Sequence, residues 1–186
     1  LFPYTTLFRS RGHKADIYEG GHRVPLLIRW PALIRPGTRV EETVCLCDLM
    51  ATMAEILQIE LPDNMGEDSV SNLSLWKGIS GAIREATVHH SENGSLSIRK
   101  GKYKLEMCPG SGGWSYPVPG TADEEGLPSM QLYDLEKDAG ETTNLIQELP
   151  EIAEELKTLL FQYVIQGRST PGTPQPNNGV PIWETV

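Results

Sequence analysis

Apolar residues along the chain form two patterns typical of regular structure in its first third. The run Val24–Trp30 is short, almost wholly apolar and bounded by prolines, which predicts a buried strand. A helix is predicted to begin at Asp48, whose side chain can cap it, and to end near Gln58. Its apolar positions follow the helical period and are Leu49, Met53, Ile56 and Leu57.

Shorter patterns in the second half predict a small antiparallel sheet. The predicted strands are Ala86–His90, Ser95–Lys100, Tyr103–Met107 and Gln131–Leu135. Lys100-Gly101-Lys102 has the form of a hairpin turn, so the second and third strands should pair.

A helix near the C-terminus is marked at both ends. Pro150 suits a first helical turn, Glu151 and Glu154 favour its positive end, and Gly167 marks its stop. Its apolar positions, which should cover one side of the sheet, are Ile152, Leu156, Leu159, Leu160, Tyr163 and Val164. The proline-rich chain from Arg168 onward is predicted to be irregular.

A polar loop, Arg11 to Pro25, leads into the first predicted strand. It carries Lys14, and it contains the adjacent glycines Gly20 and Gly21, which permit a tight turn with backbone angles that other residues avoid. Loops held by a rigid sheet often carry chemistry. On pattern alone, this loop is the first candidate for a functional site.

Composition excludes several classes of function. The chain has 186 residues and a formal net charge of −9, which argues against nucleic acid or an anionic membrane surface as a partner. No apolar run approaches the length of a transmembrane span. Cys45 and Cys47 are too close for an ordinary disulfide, and no histidine cluster accompanies them or Cys108. We therefore expect no zinc site and cysteines that face the core.

The loop and the strand after it carry a specific resemblance. The segment GHKADIYEGGHRVP followed by LLIRWPALIRPGT resembles type I sulfatases, the arylsulfatase family, near the end of their catalytic domain. The matched positions are Gly12, Lys14, Glu19, Gly20, Gly21, Arg23, Pro25, Trp30, Pro31, Ile34, Pro36 and Gly37. A second run resembles the segment that closes the small C-terminal sheet of the family. It comprises Leu132, Tyr133, Asp134, Leu135, Asp138, Gly140, Glu141, Asn144 and Leu145.

The resemblance implies an α/β fold. Residues 11–82 would form the C-terminal edge of an alkaline-phosphatase-like sulfatase domain. Residues 83–167 would form a small antiparallel sheet packed by a C-terminal helix, and residues 168–186 an irregular tail. Residues 1–10 read like a translated sequencing adapter, so we expect the protein proper to begin at Arg11 as the C-terminal part of a longer enzyme.

The resemblance also implies a function, the hydrolysis of sulfate esters. Lys14 inherits the position of the lysine that reaches the sulfate group, where a fixed ammonium stabilises charge on the leaving oxygen. Glu19, Gly20, Gly21 and Arg23 would hold the loop, with an arginine–carboxylate fork as a brace.

Substrate-binding candidates lie further along the chain. They are His89, His90, Asn93 and Trp114. Neighbouring side chains on a strand face opposite ways, so at most one of His89 and His90 can point at a given site. The alternative is a polar strand end with no ligand, and Trp114 on its glycine-rich loop would supply a platform for a sugar ring.

Two parts of the family's chemistry are missing from the sequence. The family uses formylglycine, made from a cysteine in a C/S-x-P-x-R motif, and a calcium ion held by Asp and Asn oxygens. No cysteine here lies in that motif, and no metal ligand is expected in this chain. We therefore expect the chain alone to be inactive, and to expose apolar surface that causes aggregation.

Other functions remain open at this stage. One is a phosphate or phosphonate ester hydrolase of the same superfamily, and another is a non-catalytic binding module. For a sulfatase, the expected partner is a sulfated small molecule or sulfated glycan. The resemblance implies a periplasmic or extracellular location.

Overall fold

The computed structural model describes residues 10–79 and 81–176. The adapter interpretation of residues 1–10 therefore lies, apart from Ser10, outside the described residues, as does the predicted tail beyond residue 176. The helices are α1 (Glu19–His22), α2 (Asp48–Leu57), α3 (Leu73–Trp76) and α4 (Pro150–Gln166), with a short 3-10 turn at Ala122–Glu124. The strands are β1 (Thr87–His90), β2 (Leu96–Lys100), β3 (Tyr103–Glu106) and β4 (Gln131–Asp134).

The chain folds into two compact units. Among the described residues, the first unit combines residues 10–25 with Val88–Leu160, and the second combines Leu26–Thr87 with residues 161–176. The candidate loop and most of the small sheet thus belong to the same unit, although they are far apart in sequence.

The small sheet forms as the sequence predicts. Its four strands lie in the order β1-β2-β3-β4. Strand β3 pairs antiparallel with both β2 and β4, with Ile98 opposite Leu105 and Leu105 opposite Leu132. These three side chains are fully buried. Gly101, in the turn between β2 and β3, has φ +58°, a value that glycine reaches without a Cβ clash.

Helix α4 begins at Pro150 and ends at Gln166, and Gly167 follows with φ +63°, as the end signals predict. Its fully buried residues are Ala153, Leu156 and Leu160, and the other predicted apolar positions are half-buried. No helix in residues 10–79 and 81–176 has both the length and the apolar character needed to cross a bilayer.

Helix α2 matches the predicted bounds, but Asp48 does not cap it. The Asp48 carboxylate is buried and accepts hydrogen bonds from Cys45 N (2.7 Å) and Val70 N (3.0 Å). It also pairs with the Arg84 guanidinium. Asp48 therefore ties two loops to the start of the helix, a role that helix signals alone do not reveal.

The second unit has a core of its own around α3. Leu73, Leu75 and Trp76 are buried at its centre. The partly buried residues packed against them are Trp30, Leu33, Ile34, Val44, Leu49, Ile56 and Ile83.

The predicted strand Val24–Trp30 is wrong. These residues have no strand assignment, and no strand in the described part of the chain pairs with them. Most are exposed, with Leu27 at 92%. An apolar run forms a buried strand only where neighbouring strands satisfy its backbone and helices cover its faces, and neither is present among the described residues. The expected exposed apolar surface is found at this run.

The cysteines differ from one another in burial. Cys108 is buried, as expected for a core residue, whereas Cys47 is exposed and Cys45 only half-buried. Cys47 lies just before α2, and its thiol contacts the carbonyl oxygen of Asp68 at 3.2 Å. The expectation that all three face the core is therefore wrong for this pair, because it lies in a surface loop.

Candidate functional site

Lys14 lies in a turn at the surface of the first unit. Its side chain is exposed, and the next residue, Ala15, has φ +90°. A positive φ is strained for a residue with a Cβ and is kept only where the surroundings enforce it. Here Ala15 O accepts a hydrogen bond from Glu92 N at 2.8 Å. The turn that presents Lys14 is thus fixed by the loop after β1.

Asp16 fixes the same turn from inside. Its buried carboxylate accepts hydrogen bonds from His13 N (2.8 Å), Trp114 N (2.8 Å) and Ser115 N (3.0 Å), and from the Ser115 hydroxyl. Burial alone would raise the pKa of Asp16, but these hydrogen bonds hold the pKa below its ordinary value. The ionised carboxylate connects the Lys14 turn to the loop that carries Trp114.

Trp114 is 59% exposed, and its ring lies 6.3 Å from the His13 ring, centroid to centroid, in a tilted arrangement. Gly113, directly before it, allows a close approach of two backbones. A Cβ on Gly113 would lie 2.5 Å from Ala15 O. The large indole thus remains at the surface while its backbone packs against the Lys14 turn.

Asn93 completes this group of loops. Its backbone N donates to Gly112 O (3.1 Å), and its side-chain oxygen accepts from Ser91 Oγ (2.8 Å) and Ser95 N (3.0 Å). Three loops are therefore joined by hydrogen bonds, and they carry Lys14, Asn93 and Trp114.

The two neighbouring histidines on β1 are separated by the strand. The His89 ring stacks on the His22 ring at 4.0 Å between centroids, with 13° between their planes. His90 is exposed, and its Nδ1 lies 3.0 Å from Ser91 O. His22, the last residue of α1, is the ring that packs on His89.

Glu19 is the centre of a buried charge network. Its carboxylate lies 3.4 Å from Lys104 Nζ, 3.2 Å from Arg99 Nη1 and 3.3 Å from His22 Nε2. Lys104 Nζ also donates to Glu141 Oε1 (2.8 Å) and to Ile17 O (2.8 Å). The network connects the candidate loop to β2, to β3 and to the segment after β4.

The predicted brace between Glu19 and Arg23 is present only as one long ion pair and not as a two-bond fork. Arg23 Nη1 lies 3.9 Å from Glu19 Oε2, and the Arg23 side chain is 59% exposed. Lys104 and Arg99 brace the carboxylate instead. Strands β2 and β3 bring these two side chains into contact with Glu19, although they lie about 80 positions further along the chain.

The glycine pair serves a purpose other than the predicted one. Gly20 and Gly21 lie within α1, and neither has a positive φ. A Cβ on Gly20 would lie 2.3 Å from Gly12 O, and a Cβ on Gly21 would lie 2.1 Å from Asp16 O. The glycines are therefore required by close packing of two backbones rather than by unusual backbone angles.

The network sets the protonation of its members. Burial would raise the pKa of Glu19, but His22, Lys104 and Arg99 lower it to about 2. Burial raises the pKa of Glu106, although Lys104 acts against this. Glu19 is thus ionised and fully engaged at neutral pH, which suits a structural brace and not a proton acceptor.

Sequence reasoning missed Asp16, Lys104 and Glu106, and it assigned no contacts to Glu141. One signal was present: Lys104 and Glu106 are two apart on a strand and so share a face. Charged residues at alternating positions are usually assigned to a solvated face, whereas here both are fully buried.

The described residues do not fit the cofactors that the resemblance implies. No group of three or more His, Cys, Asp or Glu side chains in residues 10–79 and 81–176 is placed to hold a metal ion. Cys108 is followed by proline but lacks the rest of the formylglycine motif. Burial raises the pKa of its thiol to about 12, so it is not poised as a nucleophile.

Comparison with known proteins agrees on one family. Residues 12–105 match the family model described as N-sulphoglucosamine sulphohydrolase, C-terminal. The chain is 32% identical over 157 residues to an N-acetylgalactosamine-6-O-sulfatase of Bacteroides thetaiotaomicron, covering 84% of this chain and 30% of that protein. It is 31% identical over 156 residues to bovine arylsulfatase A, covering 76% of this chain and 30% of that protein.

A solved structure gives the same result for the fold. It comes from work on glycosaminoglycan metabolism by Bacteroides thetaiotaomicron, and it superposes with a TM-score of 0.71 at 31% identity. The match covers 83% of this chain and 32% of that one. The chain thus spans about a third of the length of the proteins it matches.

Proposed function

We propose, because the chain belongs to the sulfatase family, that it supplies a sulfate-contacting lysine and a sugar platform to an enzyme that hydrolyses sulfate esters. The observation that carries the proposal is the joint fixing of Lys14 and Trp114. Both are exposed, and the buried carboxylate of Asp16 accepts hydrogen bonds from the backbone N of Trp114 and from that of His13, the residue before Lys14. A cation and an aromatic face held in one rigid surface suit a ligand that is both anionic and cyclic.

Lys14 has a simple electrostatic task in this proposal. A sulfate ester develops negative charge on its leaving oxygen as the S–O bond breaks. An ammonium fixed within hydrogen-bond reach stabilises that charge more in the transition state than in the ground state. Removal of one such donor costs about 3–4 kcal/mol of transition-state stabilisation, which is roughly a hundredfold to a thousandfold in kcat.

The substrate class follows from the neighbours of Lys14 and from the relatives. A relative at 32% identity is named an N-acetylgalactosamine-6-O-sulfatase. Trp114 can stack on the apolar face of a sugar ring, and its indole N–H offers one donor. We therefore propose a sulfated sugar or glycan as the ligand, with the sulfate on Lys14 and the ring on Trp114.

The family also uses formylglycine as the nucleophile and calcium as the metal, and when bound these supply attack on sulfur and charge neutralisation. The described residues of this chain do not fit either group. What the chain itself contributes is binding and orientation: Lys14 holds the sulfate, and Trp114 covers the ring.

The test uses the protein expressed from the whole reading frame that contains this coding sequence. The measured reactions are the hydrolysis of a chromogenic sulfate ester and of N-acetylgalactosamine-6-sulfate. Lys14→Ala should reduce kcat/KM about a hundredfold or more for both esters. Lys77→Ala, which removes an exposed lysine of the second unit, is the control and should leave both rates unchanged. Equal activity of the Lys14→Ala variant and the wild type would exclude the proposed role.

A further inference from the structure

We propose that Asp16 is a positioning residue that sets the spacing between Lys14 and Trp114, and thereby the preference for a sulfated ring over a bare sulfate ion. The proposal rests on the proposed function of those two residues. Its basis is the way the Asp16 carboxylate divides its hydrogen bonds between the two sides of the site.

Both carboxylate oxygens are occupied. Oδ1 accepts from Trp114 N (2.8 Å) and Ser115 N (3.0 Å), which lie on the platform side. Oδ2 accepts from His13 N (2.8 Å) on the lysine side, and also from the Ser115 hydroxyl. A single oxygen atom, Oδ2, therefore bridges the Lys14 turn and the Trp114 loop.

Only an acceptor fits this position. Four donors converge on the carboxylate, and it has four lone-pair sites directed at them. An amide in its place would turn one acceptor into an NH2 donor facing N–H or O–H groups. Asp16→Asn should therefore keep the volume of the side chain while breaking about half of the bridge.

The rest of the local fold does not depend on the carboxylate. Ile17 N donates to Ser111 O at 2.7 Å, and Glu92 N donates to Ala15 O at 2.8 Å. These backbone hydrogen bonds keep the loops adjacent when Asp16 is changed. The predicted effect is loss of fixed spacing, without unfolding of the unit.

The first experiment needs no ligand. Amide hydrogen exchange of the 186-residue chain is compared between wild type and Asp16→Asn. In Asp16→Asn, we expect the amides of His13, Trp114 and Ser115 to exchange at least about tenfold faster than in the wild type. The exchange rates of the other amides should be unchanged. Asp138→Asn is the control, because Asp138 accepts from Thr142 N (2.7 Å) and Thr143 N (2.8 Å) in another loop. Unchanged exchange at the first three amides would overturn the proposal.

The second experiment separates positioning from a purely structural role. The measured quantities are the affinities for inorganic sulfate and for N-acetylgalactosamine-6-sulfate. The proteins compared are the wild type, Asp16→Asn, Trp114→Ala and the double variant. Either single change should reduce the ratio of the affinity for the sugar sulfate to that for inorganic sulfate about tenfold. The affinity for inorganic sulfate itself should change little. The double variant should be no worse than Trp114→Ala alone, because the two changes remove the same contact.

The outcomes distinguish the two proposals. If Lys14→Ala leaves sulfate affinity unchanged, the proposed function fails, while the exchange experiment still decides whether Asp16 holds the two loops. If Lys14→Ala abolishes sulfate binding but Asp16→Asn keeps the full sugar preference, only the positioning role is wrong. A wild type with no preference for the sugar sulfate also overturns the positioning role.

Discussion

Lys104 Nζ donates a hydrogen bond to Glu141 Oε1 at 2.8 Å, and neither side chain is exposed to solvent. Lys104 comes from β3, whereas Glu141 comes from the segment after β4, where it has φ +51°. Glu141 also accepts from Glu19 N at 2.8 Å through its other oxygen. This buried ion pair therefore joins β3 to the start of α1, which follows the Lys14 turn.

Replacement of Lys104 by Met should destabilise the first unit strongly. The ammonium lies near three buried carboxylates, those of Glu19, Glu106 and Glu141. Its loss leaves buried negative charge without a partner, which typically costs about 3–5 kcal/mol. Urea denaturation followed by circular dichroism measures the change.

Lys100→Met is the matched control for this prediction. Lys100 pairs with Glu155 at 3.0 Å, but the Lys100 side chain is 38% exposed and the Glu155 side chain is 62% exposed. An exposed pair of this kind contributes about 0–1 kcal/mol. Similar losses for the two variants would mean that the buried network does not stabilise the fold.

His22 should make the protein sensitive to mild acid. Burial, together with nearby Lys104 and His89 and opposed by Glu19, lowers the pKa of His22 from 6.5 to about 4. Between these two pKa values the unfolded chain binds a proton that the folded chain does not. The His22 contribution to stability should therefore fall by up to about 3 kcal/mol as the pH falls from about 6.5 to about 4. Glu106, whose pKa burial raises, contributes in the opposite direction, so the His22 contribution is read from a variant that lacks this histidine.

The measurement is the free energy of unfolding at several pH values between about 4.5 and about 7, a range that lies above the acid titration of Glu19. His22→Phe, which retains an aromatic ring to stack on His89, should lose less stability than the wild type, or gain more, as the pH falls over this range. His90→Gln changes an exposed histidine and should leave the slope as it is in the wild type. The same pH dependence of stability in the wild type and in His22→Phe would contradict the prediction.

Local signals in the sequence were sufficient for the small sheet and for α4. Strand bounds there depend on alternation over a few residues, and α4 carries its own start and stop signals. They failed at Val24–Trp30, because burial of an apolar run depends on neighbours that the run itself does not specify.

The candidate site was only partly predictable for a similar reason. Lys14 and Trp114 could be named from the motif and from residue type. Asp16 could not, because its partners Trp114 and Ser115 are about 100 residues away and a lone aspartate in a loop gives no sign of burial. The glycine pair was recognised, but its cause is contact with a distant backbone rather than its own φ.

Gly21→Ala should prevent close packing of α1 on the Lys14 turn. The new Cβ would lie 2.1 Å from Asp16 O, which is backbone and cannot move aside cheaply. We expect a loss of stability above about 2 kcal/mol, as for other strongly overpacked sites. The measurement is the urea midpoint of the variant against that of the wild type.

Gly94→Ala separates this steric effect from a conformational one. Gly94 has φ +86°, and no heavy atom beyond its chain neighbours lies within 4 Å of the position that a Cβ would take. The only expected cost there is that of holding alanine in a left-handed backbone conformation, which is about 1–2 kcal/mol. A smaller loss for Gly21→Ala than for Gly94→Ala would show that the backbone contact at Gly21 is soft.

The exposed apolar residues of the second unit should make the chain self-associate. Leu27 is 92% exposed and Leu57 is 65% exposed, and water favours the burial of such side chains against other apolar surface. The double variant Leu27→Gln, Leu57→Gln should reduce light scattering at a given protein concentration, with no loss of helical signal. Leu105→Gln, at a fully buried position of β3, should instead increase scattering by unfolding the sheet. A wild-type chain that remains a monodisperse monomer at about 100 μM would contradict the prediction, because association of exposed apolar surface grows with concentration.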